Sequence, residues 1–173
     1  MLRRGRRLAR SQAPVSLTMA TARVDYGAAL ERVKALLAGG GVQAVVDYLH
    51  EHVPHFSWVG IYWVQGRDLV LGPWRGPQAT EHTRIPIGTG ICGAAAASGR
   101  TEVVDDVRQD LRYLACFPST RSEIVVPILR DGRVVGEIDI DSDRPAAFSE
   151  ADRVFLEEVA ALIAAQVSSR APT

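Results

Sequence analysis

Two cysteines and a row of spaced acids are the residues of this chain best suited to chemistry. The stretch "GEIDIDSD", Gly136 to Asp143, alternates Glu137, Asp139 and Asp141 with Ile138 and Ile140. Side chains two apart on a strand point to one face, so three carboxylates line one side and two isoleucines pack on the other. Like charges that close repel, and Asp is disfavoured in strands. A solvated strand face would explain the pattern. However, the neighbouring Val and Ile residues predict a largely buried sheet, where a short Asp side chain cannot reach water. Acids clustered in such a place suit a cation, either an ammonium group or a metal ion.

Asp131–Gly132 is a strong hairpin signal. It brings Glu123, at the head of the preceding strand, opposite or near residues 139–141, so Glu123, Asp139 and Asp141 are expected to share one patch. Cys92 stands at the start of a short predicted helix, "ICGAAAASG", whose N-terminus would favour a thiolate. Cys116 stands in an irregular stretch, "VRQDLRYLACFPSTR". Either cysteine could also be a small inert core residue. Trp58 and Tyr62 share parity on a predicted strand, "HFSWVGIYWV", and so share a face. Each alone reads as core. Beside an acid cluster they could wall a small zwitterion with a compact apolar or sulfur-bearing end.

The elements that must position these residues follow from periodicity. Ala28, Leu30, Val33, Leu36 and Leu37 mark a first helix, stopped by Gly39–Gly41. Val42, Val45, Val46 and Leu49 mark a second, ended by Pro54. "RDLVLGPW" pairs with the aromatic strand across a turn at Gln65–Gly66, and "TEVVDD" is a short strand. Ser149 caps a final helix with Asp152 completing a capping box, and its apolar stripe is Val154, Leu156, Val159, Leu162 and Ile163. This order predicts an α+β domain over residues 23–170, with an antiparallel sheet and helices packed on it. Six arginines and no acid precede Asp25. Residues 1–22 are read as a disordered tail or a start called too early, with a basic transit-like leader as the alternative.

Composition excludes several classes. The 173 residues carry a formal net charge of zero, so nothing draws the whole molecule to nucleic acid or a membrane surface. No apolar run reaches the roughly 18–20 residues of a membrane span. Two cysteines are too few for a secreted disulfide scaffold, and His50, His52, His55 and His82 form no zinc pattern, so free or redox-active thiols in the cytoplasm are expected. There is no P-loop, G-x-G-x-x-G, H-E-x-x-H or G-x-S-x-G, and no cofactor or resident metal is expected.

Taken in order, "FSWVGIYW", "LVLGPW", "RIPIGTGICGAAAASG", "EVVDDV", "LAC", "SEIVVPI" and "GEIDIDS" resemble the free methionine-(R)-sulfoxide reductases, a family built on a single GAF domain. The resemblance runs from Tyr26 to Val167. It implies a GAF fold, a central antiparallel β-sheet flanked by helices. It also implies reduction of free methionine-(R)-sulfoxide to methionine, with thioredoxin as electron donor. By match to "SEIVVP" and "DIDS", Glu123, Asp139 and Asp141 bind the substrate. By match to "FSWVGIY", Trp58 and Tyr62 wall its methyl-sulfoxide end. Acids in a closed pocket would select the free amino acid, whose α-ammonium they can pair.

By match to the family's "AC" loop, Cys116 attacks the sulfoxide sulfur as a thiolate. The sulfoxide oxygen needs a proton, and Glu123, whose pKa a crowded acid cluster would raise, is the candidate to supply it. Cys116 is then left as a sulfenic acid, which Cys92 converts to a disulfide for thioredoxin to reduce. Many members carry a third cysteine just before "RIP", where this chain has Thr80, Glu81 and His82. The resolving role therefore falls to Cys92 or to an external thiol. The rival reading is a GAF sensor that binds a small ligand without turnover. GAF domains often pair through terminal helices, which makes a homodimer possible.

Overall fold

The computed structural model describes residues 24–167; the basic segment 1–22 lies outside them. Helices α1 (Tyr26–Gly39) and α2 (Gly41–His52) lead into strands β1 (Trp58–Gln65), β2 (Asp68–Arg75) and β3 (Arg84–Pro86). Helix α3 (Gly90–Ser98), strand β4 (Glu102–Val104), the hairpin β5 (Ser122–Arg130) and β6 (Arg133–Ser142), and helix α4 (Glu150–Gln166) complete the chain. The six strands form one antiparallel sheet in the order β3-β2-β1-β6-β5-β4. The long central strand of acids is therefore flanked by β1 and by β5.

Local chemistry sets these boundaries. The Asp25 side chain accepts the backbone N–H of Ala28 and opens α1, and Ser149 and Asp152 form the expected capping box of α4. Asp131 and Gly132 both have positive φ, 50° and 74°, as a tight two-residue hairpin requires. The Gly39–Gly41 run separates two helices but costs only one residue of helix, because α2 begins at Gly41 itself. Arg84–Pro86 pairs with β2 as a three-residue edge strand.

The sheet has two differently used faces. Val59, Ile61, Ile124, Val126, Ile128, Ile138 and Ile140 pack under α1, α2 and α4 in the larger core. The opposite face holds Trp58, Tyr62 and Val125, covered by α3 and by the loop that carries Cys116. Two helix stripes are rotated from the expected ones. Ala29 rather than Ala28 faces inward on α1. On α4, Val154 is 43% exposed and Phe155 is buried, because Phe155 stacks on Tyr26 at 4.6 Å and carries more apolar area into the core. Among the described residues no helix is long and apolar enough to cross a membrane.

Candidate active site

Register brings the acids together. On β6, Asp141 lies between Trp58 of β1 and Glu123 of β5; Asp139 lies between Gly60 and Val125; Glu137 lies between Tyr62 and Pro127. All these positions share one face of the sheet, as period-two alternation demands. Glu123 is 5% exposed, Glu137 0%, Asp139 2% and Asp141 3%. The expected patch of Glu123, Asp139 and Asp141 is present, and Glu137 joins it as a fourth acid. The alternation in "GEIDID" already carried that signal.

The four acids lack ordinary compensation. Both oxygens of Glu137, and Oδ1 of Asp139 and of Asp141, have no hydrogen-bond partner. Among the described residues none of the four forms an ion pair with Lys, Arg or His. Burial, followed by the negative neighbours, pushes the carboxyls of Glu123, Glu137 and Asp141 well above the usual range, and burial raises Asp139 too. An uncompensated buried carboxylate is costly, so the surroundings of the row favour the protonated form of each acid.

Both cysteines reach this cluster. Cys92, the third residue of α3, is buried, with Sγ 3.8 Å from Glu123 Oε1. Its thiol is held far above its ordinary value by burial and then by Asp139, Glu137 and Glu123. The helix N-terminus was expected to favour a thiolate here. Burial and three acids outweigh it. Cys116, half-buried in the loop before β5, is also pushed up by burial and then by Asp139, Asp141 and Glu123, while the Thr80 hydroxyl pulls it down through a hydrogen bond. Without a ligand, both are thiols at neutral pH.

The aromatics close the site. The Trp58 indole folds over Gly60, where an added Cβ would lie 2.2 Å from the ring. It stacks with Trp74 at 6.1 Å and meets Phe117 at 5.7 Å and 47°. Tyr62 is fully buried and donates its hydroxyl to the His82 carbonyl at 2.7 Å. The His82 ring reaches the Ala115 carbonyl at 3.4 Å, so the segment before β3 braces the Cys116 loop. Gly90, at φ +73°, accepts the Leu114 side chain where a Cβ would stand 2.9 Å away, docking that loop on α3. Thr80, Phe117 and the two glycines have no pattern in the sequence that marks them as site residues.

A cavity of about 140 Å³ lies beside Trp58, Phe117, Thr120 and Asp141, at the outer end of the acid row. A larger one, about 520 Å³, lies on the β5–α4 side near Pro127, Leu129, Arg153 and Glu157, and no thiol lines it. The chemistry follows the thiols and buried acids rather than the larger volume.

This arrangement matches known proteins over most of its length. The GAF domain model matches residues 28–167. The free methionine-R-sulfoxide reductase of Escherichia coli is 34% identical over 65% of this chain and 67% of its own length. The solved free methionine-R-sulfoxide reductase of Neisseria meningitidis, in complex with its substrate, is 38% identical, with a TM-score of 0.76 over 82% of this chain and 87% of that one. The chain belongs to the free methionine-R-sulfoxide reductase family of GAF-domain proteins. A further member, the type II free methionine-R-sulfoxide reductase of Thermoplasma acidophilum, is 40% identical, with a TM-score of 0.70 over 80% of this chain and 94% of that one. Membership in this reductase family fits the two thiols set against one cluster of buried acids.

Proposed function

We propose that this protein reduces free L-methionine-(R)-sulfoxide to L-methionine, with thioredoxin as the reductant. The observation that carries this reading is the row of buried, unpaired carboxylates beside two thiols. A free amino acid brings an α-ammonium that can pair with Glu123, Asp139 and Asp141. A peptide-bound methionine brings none and would leave the acids unpaired at a cost of several kcal/mol. Trp58 and Tyr62 supply the wall for the methyl-sulfoxide end.

The raised thiols and raised carboxyls belong to one mechanism. Entry of the ammonium group neutralises part of the negative field that holds Cys116 as a thiol. Cys116 Sγ then attacks the sulfoxide sulfur. Glu123, held protonated by its neighbours, donates to the sulfoxide oxygen and recovers a proton from the thiol. The oxygen ends on Cys116 as a sulfenic acid, two electrons pass to the substrate sulfur, and methionine leaves as the thioether. Cys92 condenses with the sulfenic acid, losing water and forming a disulfide. Thioredoxin reduces that disulfide by thiol exchange. A cytoplasmic setting, a single domain over residues 23–170 and a homodimer paired through the terminal helices belong to the same proposal.

Thioredoxin-coupled NADPH oxidation tests the reading. Turnover of the (R) epimer of the free amino acid, with none of the (S) epimer, is expected. Absence of turnover with both thioredoxin and dithiothreitol, with binding still seen by calorimetry, would make the protein a ligand-binding GAF module instead.

A further inference from the structure

Part of the site has a geometry that a single ammonium group does not require. Cys92 Sγ, one oxygen of Glu123 and one of Asp139 all lie within 4.8 Å of one another. The Cys92–Glu123 separation is 3.8 Å. A sulfur at about 2.3 Å and an oxygen at about 2.0 Å from a tetrahedral zinc ion stand about 3.5 Å apart. A few tenths of an ångström of side-chain motion would therefore convert this contact into one edge of a coordination sphere.

Independently, Asp139 is 2% exposed and its Oδ1 is unpartnered, and Glu137, two residues before it on the same sheet face, is fully buried with both oxygens unpartnered. Glu123 and Asp139 stand on adjacent central strands and Cys92 on α3, so the donors are fixed by backbone pairing rather than by a loop. We propose that Cys92, Glu123 and Asp139 form a three-residue binding site for one soft divalent cation of the zinc or cadmium class, with a water molecule completing the tetrahedron. The sulfur donor sets the class. Magnesium and calcium demand six or more oxygen ligands, whereas a thiolate with carboxylates in a small closed space suits four-coordinate zinc.

The effect of such an ion on turnover rests on the proposed reductase function. The ion would occupy the place of the substrate ammonium and would tie up the resolving thiol. Zinc then acts as a reversible inhibitor, and free methionine sulfoxide competes with it.

The Cys116→Ser variant, in which Cys92 is the sole thiol, separates this proposal from the reductase reading, because metal uptake is read without turnover. Equilibrium dialysis against zinc chloride is expected to give one ion per chain. Cadmium chloride is expected to raise a thiolate-to-metal absorption band that is lost in the Cys92→Ser/Cys116→Ser double variant. Glu123→Gln and Asp139→Asn, each made in Cys116→Ser, should weaken binding by about 100-fold, and they keep the test open if the double variant does not fold. Equal excess of magnesium should not displace the band, and free methionine sulfoxide should. Zinc uptake below one ion per chain, uptake unchanged without Cys92, or displacement by magnesium would each overturn the site while leaving the reductase reading intact.

Discussion

Asp152 and the acids of β5 and β6 are buried to the same degree in opposite surroundings. Asp152 is 2% exposed. Its Oδ1 accepts the Tyr26 hydroxyl and lies 2.7 Å from His55 Nε2; its Oδ2 accepts the Ser149 backbone N–H at 2.7 Å and the Ser149 hydroxyl at 2.5 Å. Burial alone would raise this carboxyl, but the hydrogen bonds from His55, Ser149 and Tyr26 outweigh it and hold it down to about 2. On the sheet the Thr120 hydroxyl beside Asp141 and the Cys92 thiol beside Glu123 are too weak to offset burial and the negative neighbours, and the acids are pushed up. A buried acid with all its partners in place ties α1 and α4 together. A buried acid without them leaves room for a ligand to supply the missing charge.

The comparison breaks first at activity. Cys116→Ser should abolish turnover and leave melting unchanged, measured by coupled assay and calorimetric scan. Substitutions at the Asp152 end should not reach the chemistry at all. Next, Glu123→Gln should lower kcat/KM by about 100- to 1,000-fold, which is 3–4 kcal/mol of transition-state stabilisation. The same variant should melt no lower than the wild type, since Gln matches the size of the protonated acid and cannot add a charge to the repelling row.

The reverse pattern is expected at Asp152. Asp152→Asn should cost about 2 kcal/mol, from the depression of its carboxyl to about 2, and lower Tm by about 4–8 °C, with kcat/KM at 25 °C unchanged. The sign with pH follows. A carboxyl depressed in the folded state stabilises fully above its unfolded value near 4 and loses that contribution as pH falls toward 2. The stability gap between wild type and Asp152→Asn should therefore close over that window in urea titrations. The smallest effect is expected for Cys92→Ser, which should complete about one turnover without an added thiol and recover multiple turnovers with dithiothreitol.

Much of the site was legible in the residues themselves. Alternation in "GEIDID" and the Asp131–Gly132 turn placed four acids on one face, because strand parity is strict and hairpin register is set by its turn. The Ser149 capping box survived intact because it is local. The roles of Thr80, His82 and Phe117 were not legible. They reach the site through loops whose course no periodicity encodes, and each makes its contact across a large sequence separation. Helix rotation on α1 and α4 was missed for a related reason. Ala28 and Ala29, or Val154 and Phe155, fit a helical stripe equally well, and only the partner surface decides between them. The thiols taught the opposite lesson, since a helix N-terminus visible in the sequence was overruled first by burial and then by the acids that tertiary pairing set beside Cys92.

Selectivity turns on whether the unpaired acids read the α-ammonium of a free amino acid. Calorimetric titration of Cys116→Ser with free L-methionine-(R)-sulfoxide and with its N-acetyl derivative tests this most directly. The free amino acid should bind at least about 100-fold more tightly, a difference near 3 kcal/mol for a buried charge left unpaired. Equal affinity for the two would show that the acids do not bind the ammonium group, and the buried row of carboxyls would then need another purpose.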